Sequence, residues 1–239
     1  MNVSTSASRF AIAFIAGALA LPLARAHAPA GASVPWQTIE AESAVTNATV
    51  LGPTYDPYRL ETEASGQKCV RLLKAGDYVE FHAPETANAI VVRYSVPDSA
   101  DGAGQDSWLA LSINGKSART LSVSSRYSWL YGKYPFSNHA TDGKPRNFYD
   151  EVRAKGLAIA KGDTVRIELP TNAKVEVTVD LIDLENVPAP LEAPAQALSL
   201  TDFGAQSEGL IDATEALRKG IAAAEKEKRP LWIPAGEYK

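Results

Sequence analysis

Apolar side chains recur at every second position through the middle of the chain. Val79 and Phe81 alternate with Tyr78, Glu80 and His82; Trp108, Ala110 and Ser112 with Leu109, Leu111 and Ile113; Val165, Ile167 and Leu169 with Arg166 and Glu168. A period of two puts one set of side chains on each face of a strand and predicts half-buried β-structure. Turn residues separate the runs, at Lys74–Asp77, at Asn114-Gly115 and at Lys161–Asp163. Short strands punctuated this way predict an all-β, antiparallel β-sandwich of the jelly-roll kind over residues 34–186. A Pro/Ala-rich stretch, 187–197, has the composition of a semi-rigid linker. After it the pattern changes to strand, helix, strand over 198–239. Asp212 and Glu215 have capping-box spacing at the helix start, and Leu217, Ile221 and Ala224 share one helical face.

The Asp202-Phe-Gly-Ala205 opening, the Asp212-Ala-Thr-Glu-Ala-Leu217 helix start and the closing Leu231-Trp-Ile-Pro-Ala-Gly-Glu-Tyr238 together resemble the first coil of pectate-lyase-like right-handed β-helices. That resemblance implies a polysaccharide-cutting parent enzyme. A single coil cannot bury its apolar face alone, so the chain is expected to be the front of a longer enzyme, with residues 198–239 packing poorly or docking on the sandwich. At the other end, Arg9 precedes an apolar run from Phe10 to Leu23, and Ala24-Arg-Ala26 is a small-x-small cleavage site. Residues 1–26 thus read as a secretory signal peptide and 27–33 as a leader, and the protein is expected outside the cell with no membrane span of its own. Cleavage after Ala26 would make His27 the amino terminus, but a copper site there lacks a strand to hold it, and an exposed linker residue is the simpler reading.

The formal net charge is −4, two units more negative without Arg9 and Arg25, and no basic stripe is present. Nucleic acid is therefore excluded as a partner, and a monomer is expected. Cys69 is the single cysteine and sits in an apolar run, so it reads as a small buried hydrophobe.

Two patterns carry chemistry. In Ile39-Glu-Ala-Glu42, an extended backbone would put Glu40 and Glu42 on one face, where their repulsion calls for a hard cation such as calcium. Near the other end, Val179-Asp-Leu-Ile-Asp-Leu184 offers Asp180 and Asp183, and first and last strands often adjoin in such folds. With Gly76-Asp-Tyr-Val-Glu-Phe81, these motifs resemble family 6 and family 35 carbohydrate-binding modules. The resemblance implies a structural calcium on Glu40, Glu42 and Asp180, with Asp183 as the competing ligand; simple solvent-facing glutamates are the alternative.

The second pattern is aromatic. Tyr127, Trp129 and Tyr131, if extended, project to one side as a row on which sugar rings could stack, continued by Tyr134. Asn147, Tyr149 and Asp150 in the adjoining polar loop could bond ring hydroxyls, while Tyr55 and Tyr58 form a rival patch. These rings could equally fill the core. The Tyr127-Ser-Trp129 and Phe148-Tyr-Asp-Glu-Val-Arg153 arrangement, followed by a β-helix, looks like the front of mycodextranase-like α-1,3-glucan hydrolases, which implies an α-glucan as the polysaccharide partner. Three functions follow: a non-catalytic carbohydrate-binding module, a sandwich that itself cleaves glycan, or a spacer without sugar affinity. Exposure of Trp129 separates the first from the third.

Overall fold

The computed structural model describes residues 34–189 and 191–239. The signal-peptide, leader and His27 readings lie outside the described residues. Pro35–Lys239 forms one compact unit.

Among the described residues thirteen strands precede the Pro/Ala-rich stretch: β1 (Trp36–Glu40), β2 (Val45–Thr46), β3 (Thr49–Leu51), β4 (Cys69–Leu72), β5 (Tyr78–His82), β6 (Ala87–Ser95), β7 (Asp106–Ile113), β8 (Lys116–Ser124), β9 (Trp129–Tyr131), β10 (Pro145–Asn147), β11 (Asp150–Ile159), β12 (Thr164–Glu168) and β13 (Val177–Glu185). One antiparallel sheet runs β11-β6-β13-β4-β3, with β1 also on β13; a second runs β2-β5-β12-β7-β8. The alternation dictates how they face. Val165 and Ile167 of β12, Leu109 and Leu111 of β7 and Val79 of β5 meet Ile90, Val92, Val179 and Ile182 of the first sheet in one buried core. Each such side chain contributes about 1.5–3 kcal/mol by leaving water. Asn114 and Gly115 both adopt positive φ, 51° and 73°, in the tight turn joining β7 to β8, as the turn residues predict.

β1 does lie beside β13, with Ile39 opposite Ile182 and Glu40 opposite Leu181. β4 pairs with Val177–Val179 of β13. The two partners therefore share one edge of β13 and hand over at Asp180. On the other edge the register with β6 shifts between Val179 and Leu181, so Asp180 is the extra residue of a β-bulge, the device by which a strand re-aims a side chain.

Beyond the Pro/Ala-rich stretch, β14 (Leu198–Ser199) pairs in parallel with β15 (Leu231–Trp232) across the helix α1 (Thr214–Glu227). The predicted capping box does not form: Asp212 accepts from the Thr214 amide at 2.8 Å, whereas Glu215 pairs with Arg218 at 3.0 Å. The predicted apolar face is also not the packed one. Leu217 and Ile221 are exposed, while Ala213 and Ala216 join Leu200 and Ala205 in a second, smaller core. Gly220 explains the choice, since a Cβ there would stand 3.0 Å from Leu231 and 3.2 Å from Phe203. Among the described residues no helix is long and apolar enough to cross a membrane.

Candidate functional site

The acidic motif gathers, though not as a strand pair. β1 ends at Glu40 and residues Ala41–Ser43 turn away as 3-10 helix, so Glu42 is not on the strand face expected for it. Both glutamates instead approach the Ser65–Gln67 turn: the Ser65 hydroxyl donates to Glu40 at 2.8 Å, and Glu42 Oε1 would lie 3.8 Å from a Cβ on Gly66. Asp180 reaches the same turn, accepting from the Ser65 amide at 2.9 Å. It is fully buried and also accepts from the Arg93 guanidinium. Burial pushes its pKa up to about 6, against the opposing pull of Arg93. Asp183 points elsewhere, to the Thr38 hydroxyl. Glu40 and Glu42 each keep one buried carboxylate oxygen without a partner. Such atoms are costly unless something binds them, and carboxylate oxygens are what a hard cation takes. Among the described residues no three His, Cys, Asp or Glu side chains converge as a ready-made metal cluster, and Asp180 already has Arg93 as a partner.

The aromatic segment does not form one row. Tyr127 sits in a turn, and β9 comprises only Trp129–Tyr131, paired with β10 as a two-stranded ribbon. The ribbon sorts the rings. Tyr131 is 6 % exposed, with its hydroxyl on Asp98 and its pKa raised mainly by burial. Asn147 is 6 % exposed and accepts from Ser95 at 2.6 Å. Tyr131 is thus not available for stacking, nor is Asn147 open to bond ring hydroxyls. Trp129 is half-buried, with its indole N–H committed to the Val96 carbonyl at 2.9 Å. Tyr149 lies under Arg93, 4.9 Å from guanidinium to ring centroid, and its hydroxyl donates to Leu60 at 3.3 Å. It thus props the Asp180 cluster; burial raises its pKa as well.

Two predicted residues stay in solvent, Tyr127 at 91 % and Tyr134 at 87 % exposed. Tyr134 meets Phe136 edge to face at 6.3 Å, and Arg146 covers Phe136 at 5.4 Å. Lys144 lies 4.8 Å from the Tyr58 ring and Arg146 lies 4.0 Å from Glu63. The two loops that the sequence offered as rivals are therefore bridged, by Lys144 over Tyr58 and by Arg146 between Phe136 and Glu63. Cation–π contacts of this kind contribute about 0.5–1 kcal/mol each at exposed sites. Tyr127 and Asp150 go elsewhere, into a cleft of about 590 Å³ that Trp108 also lines. Trp108 was missed as a site residue, although its phase on β7, opposite to Leu109 and Leu111, already marks it as outward-facing.

The sequence model of one family, described as Alpha-1,3-glucanase catalytic domain D1, matches residues 33–187. The chain belongs to that family. This D1 chain is similar to the crystal structure of the Agl-KA catalytic domain, at 32% identity and TM-score 0.82, over 87% of this chain and 37% of that one. It is likewise similar to the catalytic unit of the thermostable GH87 α-1,3-glucanase from Streptomyces thermodiastaticus strain HF3-3, at 41% identity and TM-score 0.74, over 87% of this chain and 36% of that one. A GH87 α-1,3-glucanase catalytic domain solved in complex with nigerose matches at 26% identity and TM-score 0.71, over 87% and 37% of the two chains. The D1 chain thus spans little more than a third of these catalytic domains. No curated protein matches it. The match is to a family described as an α-1,3-glucanase catalytic-domain unit, so the resemblance to family 6 and 35 modules is not the whole account of the chain.

Proposed function

We propose that residues 34–186 of this D1 chain are a jelly-roll sandwich that binds α-1,3-glucan for a secreted glucan hydrolase, with 187–197 as linker and 198–239 as the first coil of its right-handed β-helix. The observation that carries the reading is the bridging of two aromatic loops, with Lys144 over the exposed Tyr58 ring and Arg146 linking Phe136, the edge-to-face neighbour of exposed Tyr134, to Glu63. Exposed rings beside cationic and amide groups suit the apolar faces and polar edges of sugars. Family membership supports the choice of polymer, and the parallel β14–β15 pair across α1 supports the solenoid start. The apolar run Phe10–Leu23 supports secretion. A pull-down of the chain on insoluble α-1,3-glucan, β-1,3-glucan, xylan and pectin tests this. Retention on α-1,3-glucan is expected, falling about tenfold in Tyr58→Ala/Tyr134→Ala if each ring contributes roughly 0.5–1.5 kcal/mol. No retention on any polymer would favour a spacer that docks the solenoid. A cavity of about 660 Å³ between Val187 and Leu191 on one side and Trp232 and Ile233 on the other, with Asn88 clamping Val187 at 2.7 and 2.8 Å, favours that second reading.

We also propose a structural calcium held chiefly by the unpartnered oxygens of Glu40 and Glu42, with Asp180 contributing through lone pairs left free by Ser65 and Arg93. It would neutralise two half-buried carboxylates that approach the same Ser65–Gln67 turn. Chelation is then expected to lower the melting temperature by roughly 5–10 °C, and Glu40→Gln to abolish that response. A melting curve indifferent to chelator and to added calcium removes the metal from the account.

A further inference from the structure

The cleft beside the β7–β8 ribbon is separate from the Tyr58–Tyr134 surface, and no residue of one lines the other. Its shape comes from sheet geometry. Trp108 and Ser122 face each other across β7 and β8 on the outer face, and Asp106 pairs with Ser124 at the ribbon's end. The chain then turns through Arg126 and Tyr127. Gly104, at φ 86°, fixes that turn: a Cβ on it would lie 2.6 Å from the Arg126 Cα, so bare backbone packs on bare backbone. Arg126 is tied to Asp106 at 3.1 Å, which leaves Tyr127 projecting into solvent at the mouth.

The charges in the cleft cancel. Arg126 and Lys174 are balanced by Asp106 and Asp150, so the site supplies both donors and acceptors without a net field. Lys174 sits 5.4 Å from the Trp108 ring, and the Trp108 indole N–H is buried with no acceptor. A volume of about 590 Å³ falls within the usual range of small-ligand sites, which is roughly 300–1,000 Å³. A carboxylate-bearing sugar would gain from the two cations only what it loses to the two anions. A sugar carrying only hydroxyls can donate to Asp150, accept from Lys174, and stack on Tyr127.

We propose that this cleft is a second, independent binding subsite, and that it takes a short segment of a neutral, hydroxyl-rich glucan chain in preference to an acidic polysaccharide. The inference rests on the reading of the sandwich as glucan-binding and adds to it a site and a selectivity. Two contact surfaces on one domain would let it grip an insoluble polymer at two points, where the second contact benefits from the proximity created by the first.

The test is an NMR titration of the full chain, following the four tryptophan indole N–H resonances, with an α-1,3-linked glucose tetrasaccharide and, separately, trigalacturonate. Trp108→Phe assigns the relevant signal. The expected result is movement of the Trp108 resonance with the neutral tetrasaccharide, no movement with trigalacturonate, and an affinity five- to tenfold weaker in Tyr127→Ala at unchanged melting temperature. Tyr127 is exposed enough that its truncation leaves the fold intact. A silent Trp108 signal, equal affinity in Tyr127→Ala, or equal response to trigalacturonate each overturns the proposal. Pull-down of Tyr58→Ala/Tyr134→Ala separates the two ideas. If retention depends on those rings while the Trp108 signal stays silent, the cleft fails and the binding reading stands; if the Trp108 signal responds while retention ignores those rings, the Tyr58–Tyr134 surface fails and the cleft stands.

Discussion

Arg93→Ala is expected to cost about 3–5 kcal/mol of folding stability, the usual penalty for stranding a buried charge by removing its partner. Asp180 is fully buried at a bulge and has Arg93 and the Ser65 amide as its bonding partners. Truncation also takes the guanidinium from above Tyr149. The loss should depend on pH with a definite sign. In the fold the Asp180 pKa is already raised to about 6, mainly by burial and despite Arg93, so this group's contribution is present at low pH and lost as pH rises through about 6. Without Arg93 the folded pKa rises further. Urea unfolding at pH 5 and pH 8 should therefore show the larger deficit at pH 8, where keeping the fold means burying a bare carboxylate or taking up a proton. A variant as stable as the parent at pH 8 would mean that Asp180 does not carry the charge inferred for it.

Gly52→Ala is expected to be nearly as damaging, by a steric route. Gly52 has φ 91°, and a Cβ there would lie 2.0 Å from the Gln67 carbonyl oxygen and 3.1 Å from its carbon. The obstacle is backbone, so no rotamer change relieves it. A loss of at least about 3 kcal/mol follows from the strained φ and the collision together. Glucan retention should fall with it, because the loop after Gly52 carries Tyr55 and Tyr58 while the Gln67 turn holds Glu40 and Asp180. Gly162→Ala is the control: φ is 88° there, but nothing lies within 4 Å of the added carbon. Equal melting-temperature losses in the two variants would show that the collision is relieved at little cost.

The parts of this architecture that follow from period-two alternation were open to reading from the chain. Val165 and Ile167 occupy the core between Arg166 and Glu168 because a strand offers no other arrangement, and Asn114-Gly115 made a tight hairpin legible because both residues tolerate positive φ. The bulge at Asp180 was not legible. It arises where β1 leaves and β4 joins the same edge of β13, a non-local event that no short window contains. The row of Tyr127, Trp129 and Tyr131 failed for a related reason. It assumed an extended segment, but Tyr127 lies in a turn, and pairing with β10 turned Tyr131 inward to Asp98. In α1 the helical period was sound and the face was not. Hydrophobicity singled out Leu217 and Ile221, whereas close approach of Leu231 and Phe203 selects the smallest residues, above all Gly220. Trp108 shows the converse: its outward phase was visible, but one aromatic in an alternating strand has no partner in sequence to mark it as a site.

Cys69 lies at zero exposure in β4, beside Tyr149 and the Asp180 cluster, and burial pushes its thiol pKa up to about 11. At neutral pH Cys69 of the folded chain thus offers neither a thiolate nor an accessible thiol to oxidants, metals or another protein's cysteine. A domain whose single thiol is sealed this way is indifferent to redox conditions: it can be synthesised in a reducing compartment and work in an oxidising one without any bond being made or exchanged.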